Sequence, residues 1–573
     1  MPESDLVPTF FQRVQANWQS GLTVALVSLP LNIALSIASG AGPVPGIITG
    51  VWAGIVAAIF GGSNYNVIGT AGALSTILAA FAGSLVGDQK AVLALPLLAM
   101  TVGLFILLIF FLRLEKYLIY IPTSVMYGFA AGVAITIAVN QLRDATGLNL
   151  GKHNEFLPNL WETLSHLSLT KPATFGVFGF FLAFLLIFKK FVKKIPGVIP
   201  VAILGIILGY AQSYFGFNWG LETLQQKQGT FVISLFIQPN LGLYSQILTN
   251  WNYLGWLLNT AMVVALVGIL ETLITAKIAD KITETKFNTR RELVGLGLAN
   301  IASGIMGGLP ATGVFIRTGL NIKSGANHST SALLSAVITG VLAFIFLPFF
   351  QYIPMAVIAA ILFNTAIGLI EIKEFRRYWL EDKSSFIVGI VVALITVISD
   401  ASIGILVGVA LALLFFVDKL SKGTFEATFN SKKKIVDCRH GNCFLYPKLK
   451  KAQQIDVIVY SIEGIMAYVD GPKHRENFEK MEKMTSLETV VIRLRDLFYM
   501  DLDGRDLLEE AVRDLARFGK KVLITGPCEE VSEVLKLSPI FVNLYDKGLV
   551  FPKTEDALFS IGFEKKDLGF PKK

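Results

Sequence analysis

Charge is what this chain has least of. Only 16% of its 573 residues are Asp, Glu, Lys or Arg, against about 25% in ordinary soluble domains. Hydrophobic residues make up 53% and the mean hydropathy is +0.61. That balance excludes a soluble globular chain and indicates a polytopic membrane protein. Cysteine is scarce too. Cys438, Cys443 and Cys528 all lie toward the C-terminus and build no disulfide framework. Cys438-Arg439-His440-Gly441-Asn442-Cys443 has the spacing of a metal knuckle. One knuckle supplies too few ligands for a closed zinc site, so a turn is the reading and no metal is expected there. No small-residue cleavage site precedes the first apolar run, where Ala16-Asn17-Trp18-Gln19 leads straight in, so no cleaved leader is expected. No P-loop is present, which argues against an NTPase. The apolar runs hold no His cluster, no paired carboxylates at catalytic spacing and no activated nucleophile, so no enzyme is expected. The net charge of +8 would suit a nucleic-acid binder. Most of the positive charge, however, sits in short loops flanking apolar runs, as membrane orientation requires. No nucleic-acid partner is expected; lipid is.

What is there is a series of apolar segments after a polar N-terminal stretch, 1–20. They run near 21–38, 44–60, 70–86, 91–112, 118–140, 173–188, 197–214, 255–276, 292–306, 311–322, 330–347, 354–371, 385–399 and 401–417. Several fall short of the ~20 residues of a full span. Loops after even-numbered segments carry the cations: Arg113 and Lys116, then Lys189 to Lys194, then Lys281 to Arg291, Lys323, Lys373 to Lys383, and Lys419 with Lys422. Odd-numbered loops hold few. The positive-inside rule then puts both termini in the cytoplasm of a cell membrane, with a bacterial inner membrane as the expected location. The transport domain is read as 21–417. A basic linker with a hairpin follows at 418–453, an α/β domain at 454–565 and a tail at 566–573. In the α/β domain strands are expected near Asp456–Ile462, Thr489–Leu494, Lys521–Thr525 and Phe541–Leu544, alternating with helices.

Two breaks stand seven segments apart. The first runs Gly61-Gly62-Ser63-Asn64-Tyr65-Asn66-Val67-Ile68-Gly69-Thr70-Ala71-Gly72-Ala73. The second runs Gly307-Gly308-Leu309-Pro310-Ala311-Thr312-Gly313-Val314. Each reads either as a broken helix or as a tight loop between spans. Seven segments per half place the halves upside down relative to each other, the inverted-repeat plan of secondary transporters, whose paired interruptions mark a midplane site. Half-helices starting at Ala71 and Ala311 would expose N–H groups that have no intrahelical partner. With the helix dipole, those groups favour an anion. Thr70, Ala71, Gly72, Ala73, Ala311, Thr312, Gly313 and Val314 are therefore the candidate substrate-binding residues.

Asn32, next to the kinking Pro30 in the first segment, is a further candidate for the pathway, with helix–helix hydrogen bonding as the alternative. Glu271 is an ionisable residue inside the eighth segment, costly there and a functional candidate for that reason. Gly268, Glu271 and Thr275 share one helix face. A carboxylate beside an anion repels it unless a cation or proton sits with it. Glu271 and Thr275 are thus the candidate coupling pair, with Na+ as a possible coupling ion and no other cofactor. A structural hydrogen bond is the alternative role. Arg317 either adds positive potential or snorkels to the interface. Gly46, Gly50 and Gly54 read as close helix packing.

Gly308-Leu309-Pro310-Ala311-Thr312-Gly313 with Ile316-Arg317-Thr318, Leu29-Pro30-Leu31, and Glu271-Thr272-Leu273-Ile274-Thr275-Ala276 resemble the SulP family of anion transporters. The C-terminal domain resembles STAS, the module that usually follows. The resemblance implies a multi-pass α-helical membrane protein: a 7+7 inverted repeat with core and gate domains, a cytoplasmic α/β STAS domain and a homodimer. It implies secondary transport of a small inorganic anion, bicarbonate or sulfate foremost, with an uncoupled channel or an exchanger of the same fold as the alternative. Three departures matter. Gly69-Thr70 stands where relatives often have Gly-Pro. Met500-Asp501-Leu502-Asp503-Gly504 lacks the phosphorylatable residue of anti-sigma antagonists. Glu271 stands where sodium-coupled bicarbonate members have Asp, which keeps proton coupling open.

Overall fold

The computed structural model describes residues 9–84, 92–116, 121–148, 156–192, 196–216, 219–230, 232, 234–399, 401–429, 435–438, 455–467 and 471–564. The knuckle Cys438 to Cys443 runs beyond the described residues, as does the tail 566–573. The chain divides into two compact units, Met1–Ala410 and Leu411–Lys573.

The first unit is helical apart from two short strands. Its first half comprises α1 (Phe10–Ala38), α2 (Pro43–Phe60), β1 (Ile68–Gly69), α3 (Gly72–Ser84), α4 (Leu95–Phe111), α5 (Thr123–Thr146), α6 (Phe156–Ser165), α7 (Pro172–Phe191) and α8 (Val198–Phe215). Two connectors follow, α9 (Leu224–Gln228) and α10 (Leu241–Thr249). The second half has α11 (Trp251–Thr283), α12 (Thr289–Ile305), β2 (Thr312–Gly313), α13 (Phe315–Lys323), α14 (Thr330–Phe350), α15 (Met355–Leu369), α16 (Ile372–Glu381), α17 (Lys383–Ile398) and α18 (Ala401–Leu420). Each of the fourteen expected segments holds one helix: α1–α5, α7, α8, α11–α15, α17 and α18. Eight helical stretches among the described residues are long and apolar enough to cross a bilayer alone, α15 and α16 counting as one of them. Local chemistry sets the ends. Thr9 and Gln12 form a capping box at α1, Pro43 and Pro172 occupy first turns, and α5 stops at Gly147 in the left-handed region (φ 71°).

The packing shows the repeat. Counting the fourteen helices as spans, the contacts of span 1 with 11 (α1 on α14) mirror those of span 8 with 4 (α11 on α4). Span 4 on 9 mirrors 11 on 2, span 1 on 10 mirrors 8 on 3, and span 5 on 13 mirrors 12 on 6. Spans 2 and 9 pack on each other, as do 5 and 12. Two groups result: α1–α4 with α11–α14 form a core, and α5, α7, α15 and α17 form a gate. They meet where α1 and α3 touch α5 and α15.

The second unit is a sheet covered by helices. Its elements are β3 (Ser421–Phe429), β4 (Ile435–Cys438), β5 (Val457–Met466), α19 (Gly471–Glu482), β6 (Thr489–Arg493), β7 (Leu497–Met500), α20 (Leu502–Arg517), β8 (Lys521–Thr525), α21 (Glu529–Leu535), α22 (Pro539–Asp546), β9 (Val550–Phe551) and α23 (Thr554–Ser560). The strand order is β4-β3-β5-β6-β8-β9, with β7 also pairing β5. Alternation along β5 feeds two cores. Ile458, Tyr460 and Ile462 join one, and Val457 and Val459 join the other. One expectation needs correction. Phe541–Leu544 is helical, because Ser538 caps the turn and Pro539 starts it. Within the stretch 418–453 read as linker and hairpin, β3 and β4 pair antiparallel as a hairpin, and β3 also joins the sheet beside β5.

Candidate functional site

The two breaks meet. β1 and β2 pair antiparallel, Ile68 opposite Gly313 and Gly69 opposite Thr312. The Val314 N–H donates to the Val67 carbonyl at 3.1 Å. This ladder corrects one expectation: the second half-helix starts at Phe315, not at Ala311. The intervening amides are already engaged. Ala311 N–H donates to Asn300 Oδ1 (2.8 Å) and Gly313 N–H to Thr272 Oγ1 (2.9 Å). In an apolar interior a backbone group with a fixed partner stays extended rather than surrender it. The free first-turn donors of α13 are therefore Phe315, Ile316 and Arg317, whose N-cap Val314 makes no side-chain cap. On the other side α3 starts at Gly72, so Gly72 and Ala73 supply first-turn amides as expected.

Side chains bridge the crossing. The Thr70 hydroxyl donates to Asn32 Oδ1 at 2.7 Å and accepts from Arg317 Nη2 at 3.2 Å. Arg317 is only 1% exposed, so it does not snorkel; it brings a full charge to the start of α13. Its Nε and the Asn32 Nδ2 are buried donors without a protein partner. Two glycines give these groups room. A Cβ on Gly50 would lie 2.0 Å from Asn32 Nδ2, and one on Gly69 would lie 2.3 Å from Arg317 Nη1. The helix-packing glycine Gly50 thus makes space for an amide, while Gly54 packs on Ala336.

The coupling candidates lie on the α11 side. Thr275 donates to the Gly313 carbonyl at 3.3 Å, and Thr312 donates to the Gly268 carbonyl at 2.9 Å. The Glu271 carboxyl lies within electrostatic reach of Arg317 and beside the Thr312 hydroxyl, and its Oε2 is buried without a partner. Asn32, Thr70, Thr312, Gly313, Glu271 and Thr275 are all brought together at the crossing. Ala311 is turned away, with both backbone groups held by Asn300. Ile137 of α5 and Leu369 of α15 close over Gly72 from the gate side, beside Leu35 of the core helix α1.

Sequence reasoning missed the supporting residues. Glu292 accepts from the Gly62 and Ser63 amides at 2.7 and 2.9 Å and from Asn66 Nδ2 at 2.7 Å. Asn66 in turn accepts from Thr318 at 3.1 Å. Asn300, Thr49 and Ser303 hold the Leu309–Ala311 backbone. Glu292 opens a helix next to a cationic loop, so nothing in the sequence separated it from an ordinary solvated end.

Family profiles agree with this architecture. That of the sulfate permease family matches residues 14–417, and that of the STAS domain matches 446–557. The chain belongs to the sulfate permease family. As a member of that family it is an anion transporter of the membrane and not an enzyme. It is 30% identical over 543 residues to the YvdB protein of Bacillus subtilis (strain 168), covering 92% of this chain and 94% of that one. It is 25% identical over 541 residues to the bicarbonate transporter BicA of Picosynechococcus, covering 93% and 92%. The inward-facing murine Slc26a9 structure superposes with a TM-score of 0.76 at 15% identity, covering 96% of this permease and 92% of that chain. The transmembrane domain of a cyanobacterial BicA gives 0.56 at 27% identity, covering 71% and 98%.

Proposed function

We propose that this permease is a secondary active transporter of a small inorganic anion, bicarbonate or sulfate, coupled to Na+ or H+ through Glu271. The observation that carries the reading is the crossing itself. Two half-helix N-termini share one ladder, a buried guanidinium lies at one of them, and a carboxyl with an unpartnered oxygen stands alongside. The anion is held by the first-turn amides of α3 and α13, the Asn32 amide and Arg317. Thr70 fixes the last two relative to each other. A cation or proton at Glu271 and Thr275 offsets the carboxylate and leaves the positive field of the half-helices to the anion. Movement of the core against the gate then carries both across. The protein works as a homodimer in a cell membrane with both termini cytoplasmic, and the STAS unit supports assembly. Deleting that unit without effect on protein level, oligomer or transport would remove its assembly role.

The deciding experiment is initial uptake of bicarbonate and of sulfate into proteoliposomes. Sodium is varied at fixed pH, then pH is varied without sodium. Uphill accumulation under one cation gradient supports coupling and names the ion. Flux that never runs uphill leaves a channel or an exchanger.

A further inference from the structure

A small recess lies far from the crossing, at the ends of α5, α7 and α15 that the charge pattern places outside. Its wall includes Gly147, Lys171, Thr174 and Ala356. The reachable volume is about 10 Å³, enough for one water-sized occupant. Two helix N-termini open onto it. In α7 the amides of Ala173 and Thr174 belong to the first turn, behind Lys171, which makes no side-chain cap. In α15 the Met355 amide is taken by the Glu222 carbonyl at 2.8 Å, and the Ala356 amide remains a first-turn donor. A separate observation points the same way. Thr174 is 4% exposed, yet its hydroxyl has no hydrogen-bond partner. That hydroxyl faces Gly147, where an added Cβ would come within 3.0 Å of it.

The charges around the recess decide the sign of its occupant. Arg143 is paired with Glu162 at 2.9 Å, and Asp144 is paired with Lys227. Those four cancel. Lys171 and Glu222 both line the recess and nearly balance, so the two helix N-termini tip the field positive. We propose that this recess is a second anion site, for one small monovalent anion of halide size. Thr174 Oγ1, the Ala356 amide and Lys171 would hold it. Occupied, it ties three gate helices together at one end, so it acts on the gate and not on the transported anion.

Bromide is the probe. In crystals of the full-length protein grown with bromide, a bromine anomalous peak is expected within hydrogen-bond reach of Thr174 Oγ1. Thermal unfolding in detergent should rise with bromide at constant ionic strength. Losing one hydrogen bond to a charged group should raise the half-effective bromide concentration roughly tenfold or more in Thr174→Val. Thr174→Ser, which keeps the hydroxyl, should behave as wild type, and Lys171→Gln should also need more bromide. Valine matches threonine in shape, so unfolding without bromide reports whether the variant folds. An ordered water at the recess in bromide-saturated crystals would overturn the proposal. So would a wild-type bromide response in Thr174→Val, or a bromine peak at the β1–β2 crossing alone.

Discussion

The two breaks occupy equivalent places in the repeat, yet they are built differently. The first, from Gly61 to Thr70, is anchored by one carboxylate: Glu292 collects Gly62, Ser63 and Asn66. Its half-helix α3 carries no charge at its start. The second, from Gly307 to Val314, is anchored by neutral groups, Asn300, Ser303, Thr49 and Thr272. Its half-helix α13 carries Arg317 in the first turn. The same asymmetry appears in their partners. α1 offers the neutral Asn32, whereas α11, its mate in the repeat, offers Glu271. The repeat thus joins the starts of two half-helices through one ladder. Side-chain asymmetry puts Arg317 and Glu271 on the second limb, where the proposed coupling would act.

The hardest test of that comparison is Arg317→Gln. It removes the buried charge from the second limb and leaves its first-turn amides. Breaking such a buried arrangement costs about 3–5 kcal/mol, so initial uptake should fall at least about a hundredfold. A monodisperse elution profile in detergent checks that the protein is folded. The matching change on the first limb, Thr70→Val, should cost only about tenfold, since it removes one hydroxyl bridge. Equal losses would erase the proposed division of labour.

Next in size is Glu271→Gln. Accumulation driven by a cation gradient should disappear, while tracer exchange of the anion at equal concentrations persists. Unchanged cation-driven accumulation would eliminate Glu271 as the coupling residue. Thr275→Ala should be milder, weakening cation dependence roughly three- to tenfold, because water can replace one neutral oxygen.

Glycine replacements sharpen the comparison further. A Cβ on Gly69 would press on Arg317 Nη1 at 2.3 Å, while one on Gly72 meets Leu369 Cδ1 at 3.2 Å. Gly69→Ala should lower anion affinity several-fold, about 1 kcal/mol. Gly72→Ala should leave it within about twofold, since a leucine terminus can give way. Competition binding with both anions reads the difference.

The smallest effect on transport is expected in the STAS unit. Lys520 is buried and donates to the Leu487 carbonyl at 2.7 Å and to that of Met484. Lys520→Met leaves the Leu487 carbonyl unpaired, while the Met484 carbonyl keeps the Leu487 N–H; the cost is about 1–3 kcal/mol. Limited proteolysis of the full-length protein should show that unit opening earlier, with initial uptake unchanged.

Much of this was legible in the residues. Apolar length and loop charge located all fourteen helices, and the spacing of the breaks gave the inverted repeat. What periodicity does not encode is which backbone groups will find partners across the fold. Pro310 and the small residues after it read as a helix start at Ala311. Asn300 on the preceding helix and Thr272, 41 residues from Gly313, claimed those amides and moved the start to Phe315. Arg317 was ambiguous for the same reason: only the packing of α13 on α1 and α11 shows that its charge stays inside. In the STAS unit the apolar Phe541–Leu544 fits a strand or a helix equally well by pattern, and the Ser538-Pro539 start decides it.

The crossing also sets a schedule for biosynthesis. Thr70 and Arg317, which bond across it, are 247 residues apart. At ribosomal speeds of about 5–20 residues per second, the first break waits on the order of 10–50 s for its partner strand. Through that interval the edge of β1 lies in or near the bilayer with ladder groups that no bilayer lipid can satisfy. The nascent chain must therefore hold this segment in the insertion machinery, in water at the interface, or against a helper protein until the second half arrives. A ribosome stalled before residue 312 should leave the first break accessible to water-soluble thiol reagents at an engineered cysteine, and release past residue 323 should close it.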